Sequence, residues 1–287
     1  MATQAPARPR RLIGTVLWSV AGLLRAMGIG VLAGLGAGFV AGGVGSRLAM
    51  KIVALTAGPA ARGQITENGN RIGAFTADTG FLLFFGSFLG IFGGLLYVAL
   101  RPWLPASGRR RGLVFGALLM AACGTAVVER ENFDFHRFGL PALNVALFAA
   151  LFLLFGLVVA PLADRADRAF PPLPPNRPPR FGALGAYALL AGAALLGLFP
   201  LGMAAGVGLL GRGEVSADFR AALVLFLALL VVALFARALP TGAWRQGDTA
   251  GASGLRRGSG VMVVLAVPVV IGLVVLLSAI GALLAAA

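Results

Sequence analysis

The densest polar cluster of the chain is Glu129-Arg130-Glu131-Asn132-Phe133-Asp134-Phe135-His136-Arg137. It holds three carboxylates and the sole histidine of the sequence. Such a set suits a divalent cation site or an acid–base pair. The spacing argues against both: HExxH, a histidine pair and DxD are all missing. Alternating charges between two apolar segments make an ordinary solvated connector. Glu129, Glu131, Asp134 and His136 are therefore candidates only for an enzyme working on lipid head groups at the outer membrane face. No catalytic residue, cofactor or metal is expected on this spacing.

A second constellation is Ser46-Arg47-x-x-x-Lys51. Residues four apart share a helical side, so Arg47 and Lys51 together suit a lipid phosphate or an amphipathic anion. Snorkelling to the interface or pairing with Glu129, Glu131 or Asp134 is the plainer role. Asn144 follows Pro141, which fits the first turn of a helix. A buried amide in lipid bonds across helices, and Asn144 joins Arg47 and Lys51 as a candidate ligand or lipid contact.

These residues lie at the ends of long apolar runs. Of 287 residues, 59% are hydrophobic and 12% charged, about half the charge of a soluble domain. No polar stretch is long enough to bury a core of its own. A helix needs roughly 20 apolar residues to cross about 30 Å of hydrocarbon. Segments 26–46, 80–100, 112–128, 140–162, 181–210, 219–239 and 260–285 qualify. The sequence thus predicts an all-α polytopic membrane bundle of seven transmembrane helices. Residues 1–25 form a basic arm with an interfacial helix over 12–24, and residues 26–162 a four-helix half. The six-proline segment 170–180 makes 163–180 a stiff cytoplasmic linker, and residues 181–287 form a three-helix half.

Charge orients this bundle. The N-terminal arm, loops 101–111 and 163–180, and loop 237–258 carry sixteen arginines against Asp164, Asp167 and Asp248. The alternate loops carry eight basic and seven acidic residues. Positive loops stay inside, so the N-terminus is cytoplasmic and, after seven crossings, the C-terminus is outside. The same placement accounts for the net charge of +14 without nucleic acid as a partner. Abundant Ala, Gly and Arg, with Lys51 the sole lysine, suit a bacterial inner-membrane protein.

Glycine recurs every fourth residue at Gly30, Gly34, Gly38 and Gly42, and again at Gly86, Gly90 and Gly94. Lipid offers no hydrophobic drive for helix pairing, and glycine removes the side chains that keep backbones apart. The stripe drifts about 40° per step, which favours a crossing over a straight seam. The two stripes suit each other, a membrane-protein partner or a homo-oligomer. Pro200 and Pro268 fall inside spans and should kink them. No ionisable residue occupies the middle of any span, which disfavours ion-coupled transport. The leading expectation is a non-enzymatic accessory or partner-binding subunit surrounded by membrane lipids. The alternatives are a flippase-like carrier of a lipid or amphipathic anion, and the head-group enzyme above.

Overall fold

The computed structural model describes residues 9–58, 64–65, 77–105, 108–129, 137–172, 181–211, 215–238 and 252–285. Its elements are α1 (Pro9–Gly38), a π-helical segment (Phe39–Gly45), α2 (Ser46–Thr56), α3 (Ala77–Leu100) and a 3-10 turn (Arg101–Trp103). Then come α4 (Gly108–Cys123), a 3-10 turn (Gly124–Ala126), α5 (Pro141–Ala169), α6 (Phe181–Leu210), α7 (Ala217–Ala238) and α8 (Ala252–Ala285). In hydrocarbon every backbone N–H and C=O must be satisfied within the chain, and helices do this locally.

Six helices among the described residues are long and apolar enough to cross a membrane: Val20–Thr56, Thr79–Trp103, Pro141–Ala169, Gly182–Leu210, Ala217–Ala236 and Met262–Ala285. The expected segment 112–128 falls on α4 and the 3-10 turn after it, which are not among those six. Past the three arginines that open α4, the rest of it and the turn rise about 24 Å, short of the hydrocarbon thickness of about 30 Å.

Two helices run past the ends of their apolar segments. The first continues through Arg47 and Lys51 to Thr56, ten residues beyond the apolar segment that ends at 46. It leaves through Gly58, whose φ of +83° is the left-handed exit that glycine permits. The same helix passes Arg25 without a break, so residues 9–38 form one rod. Likewise α5 reaches Ala169, seven residues beyond the expected end at 162. Both have the same cause: an apolar run marks lipid, whereas a helical hydrogen-bond ladder continues into polar sequence until a breaker arrives.

The π-helical segment FVAGGVG holds three glycines, residues of poor helix propensity that tolerate a widened turn. The buried hydroxyl of Ser46 donates to the carbonyls of Gly42 and Gly43, the latter at 3.0 Å. The Gly43 carbonyl also receives the Ser46 backbone N–H, so one residue closes the widened turn twice. Pro200 lies inside α6, which is a single helix from Phe181 to Leu210.

Glycine contacts fix the bundle's centre. A Cβ built on Gly30 would stand 2.9 Å from the Gly94 carbonyl oxygen, and one on Gly38 2.7 Å from Gly90 Cα. One on Gly42 would stand 3.0 Å from Gly86 Cα, and one on Gly94 2.7 Å from Gly34 Cα. The register runs 30 with 94 and 42 with 86, so α1 and α3 are antiparallel with touching backbones. A second seam joins α4 to α5. A Cβ on Gly112 would lie 2.6 Å from the Gly156 oxygen, and one on Gly116 the same distance from the Phe152 oxygen. Between the seams, Phe115 meets Tyr97 edge-on with ring centres 5.1 Å apart and Phe155 at 6.4 Å. Val263, Val267, Val270 and Val274 of α8 and Leu195, Phe199 and Leu210 of α6 are exposed. Water would not tolerate so large an apolar surface, and lipid requires it.

Candidate functional site

Polar side chains collect at the two ends of the bundle. At one end, the last turns of α5 read Ala163-Asp164-Arg165-Ala166-Asp167-Arg168. A helix turns about 300° in three residues, so this triplet repeat lays down three stripes. Ala163 is buried, the two aspartates face neighbouring helix ends, and the two arginines are exposed.

Three guanidiniums from other elements meet the aspartates. Arg25 of α1 donates to the Asp167 carboxylate at 2.9 Å. Arg101, from the 3-10 turn after α3, donates to both carboxylates: to Asp167, and to Asp164 at 2.8 Å. Arg111 of α4 reaches Asp164 at 3.2 Å. Arg25 also bonds the carbonyls of Phe170 at 2.6 Å and Asp167 at 3.1 Å, closing the C-terminus of α5 where carbonyls lack helical donors. Arg111 bonds the Pro105 carbonyl at 2.9 Å and so fixes the approach to α4. Three other elements are thus tied to one helix end. Asp164 and Asp167 first read as loop charges; the triplet repeat was the signal for this cluster.

At the opposite end, Arg47 is half-buried and Lys51 exposed, one turn apart on α2. From Arg25 to Arg47 the helix climbs about 33 Å, so the two arginines stand near opposite ends of the bundle. Lys51 shares its side of the helix with exposed Leu48 and Leu55. Glu129 is half-buried after α4. Glu131, Asp134 and His136 lie outside the described residues. Among the described residues there is no group of three His, Cys, Asp or Glu able to hold a metal.

Asn144 is 4% exposed and donates to the Phe138 carbonyl at 2.8 Å. This bond is to the connector just before its own helix. Phe138 in turn is buried against Ala54 and Val53 of α2 and Ala57 just after it, so the amide holds the connector that clamps α2 to α5. Asn144→Leu is expected to lower stability by about 1 kcal/mol, the scale of one such bond in a membrane protein. An unchanged unfolding midpoint in detergent would refute that role.

Fold and polar clusters together describe an all-helical chain whose apolar helices are those of a multi-pass membrane protein. Comparison with protein-family models, with curated proteins and with solved structures gives no match.

Proposed function

We propose that this chain is a non-enzymatic subunit of a bacterial inner-membrane assembly, accessory to or binding a membrane-protein partner, with its basic end in the cytoplasm. One observation carries the reading: its best-organised polar side chains join helices to one another. Arg25, Arg101 and Arg111 hold Asp164 and Asp167, and Asn144 holds Phe138. The glycine stripes face each other within the chain, so a partner would dock on the exposed apolar faces of α6 or α8. Native mass spectrometry of the gently extracted protein is the test. A second protein in fixed stoichiometry supports the proposal, and a monomer with no protein partner under conditions that preserve other complexes sinks it.

A carrier of a lipid or amphipathic anion is the second reading. It is favoured by the placement of two cations one turn apart at the end opposite the ion cluster, with Lys51 among lipid-facing leucines. On this reading Arg47→Gln with Lys51→Gln loses retained lipid or anion while keeping the wild-type unfolding midpoint. Lost expression or a lowered midpoint with unchanged ligand would make the pair structural.

A further inference from the structure

We infer that Arg109 and Arg110 of α4, with Arg165 and Arg168 of α5, form a seat for anionic phospholipid head groups at the basic end of the bundle. All four side chains are exposed. The carboxylates nearest in sequence and space are already engaged: Asp164 receives Arg101 and Arg111, and Asp167 receives Arg25 and Arg101. Among the described residues no further acid is found at this end. The first turn of α4 holds no acidic residue, and Arg168 stands in the last turn of α5.

The backbones that carry these cations are held together. The seam of Gly112 and Gly116 against Gly156 and Phe152 packs the two helices backbone to backbone, and the Arg111–Asp164 pair at 3.2 Å joins them directly beside Arg110 and Arg165. A diffuse anion atmosphere would screen the charge, but the surface below the arginines selects something more specific. Leu113 and Val114, four residues after Arg109 and Arg110 and therefore one turn deeper, are 42% and 40% exposed. A cation above an exposed apolar side chain matches a molecule with an anionic head and an acyl tail. A nucleic acid or an acidic protein segment would use the arginines and leave Leu113 and Val114 uncovered. Interfacial arginines attract anionic lipid in just this way, with an effect that weakens as salt rises. The seat lies at the end opposite Arg47 and Lys51, so it is independent of the carrier reading.

The test uses the full chain reconstituted in vesicles of equimolar phosphatidylglycerol and phosphatidylcholine, extracted in mild detergent, with retained lipids counted by native mass spectrometry. The wild type is expected to retain phosphatidylglycerol preferentially. The variant Arg109→Gln, Arg110→Gln, Arg165→Gln, Arg168→Gln should lose most of that enrichment, by up to about five-fold for each charge removed. If the fourfold variant fails to fold, the pairs Arg109→Gln/Arg110→Gln and Arg165→Gln/Arg168→Gln are read separately. Each pair should then show a partial loss at an unchanged unfolding midpoint. Equal retention of both lipids by the wild type overturns the inference, as does enrichment that survives in every variant. Binding of a polyanion such as heparin without a phosphatidylglycerol preference overturns it too.

Discussion

Gly90→Ala is expected to destabilise the bundle by about 2–4 kcal/mol, a large effect for one methyl group. Overpacking a tight contact costs about 1–3 kcal/mol where side chains can yield. Here the obstacle is backbone on the opposing helix. A Cβ at position 90 would stand 2.6 Å from Gly38 Cα and 2.9 Å from Gly38 N, and closer still to the Gly34 carbonyl. No rotamer change relieves that clash; α3 must move off α1. Such a shift would also loosen the contacts of Gly86 and Gly94 in the same seam. The gain in helix propensity from glycine to alanine, at most about 1 kcal/mol, does not offset it.

Gly202→Ala in α6 supplies the contrast. A Cβ there meets nothing within 4 Å. The variant should match the wild type or gain up to about 1 kcal/mol, because propensity acts alone. Unfolding both variants in the same micelles separates close packing from a general effect of removing glycine. Equal midpoints would mean that the α1–α3 approach does not hold the fold. Gly90→Leu should yield no folded protein.

Some of this architecture is legible in the chain and some is not, for physical reasons. Hydrocarbon thickness imposes a length of about 20 apolar residues, so the runs around 80–100, 140–162 and 181–210 announce their helices. The helix ends at Thr56 and Ala169 do not announce themselves, because leaving lipid does not break a hydrogen-bond ladder. Glycine spacing carries no address. Four-residue steps mark a smooth face, but that Gly30 meets Gly94 and Gly42 meets Gly86 is a property of tertiary packing. The partners of Gly112 and Gly116 were still harder to foresee, since Gly156 stands alone in its helix. The ion cluster was the largest omission. Its acidic half is local and periodic, Asp164 and Asp167 three apart, whereas Arg25 is 142 residues from Asp167 and Arg101 63 from Asp164. Counting charges by loop placed all five residues at the same end and said nothing about which would touch.

That cluster sets the second large effect. Asp167→Asn is expected to cost about 1–3 kcal/mol, with a matching fall in the unfolding midpoint. Removing one partner of a fully buried pair costs about 3–5 kcal/mol, because the other charge is left without compensation. The side chains of Arg25, Asp167 and Arg101 are 16%, 23% and 30% exposed, so water screens part of that cost. The substitution leaves two arginines against a neutral amide at the closed end of α5. Replacing both members, Arg25→Met with Asp167→Leu, should recover part of the loss: an apolar pair needs no counter-charge, but Arg101 still loses its Asp167 contact and the Phe170 carbonyl its donor. Arg101→Lys separates charge from geometry. One guanidinium forks between two carboxylates, a span that a single ammonium does not reproduce. It should therefore fall well below the wild type although the net charge is unchanged. If Asp167→Asn and Arg101→Lys both unfold at the wild-type midpoint, the cluster is a solvated surface array and α1, α3 and α4 are held at this end by packing alone. If Asp167→Asn falls and the double replacement recovers, the ion pairs hold these helix ends in place.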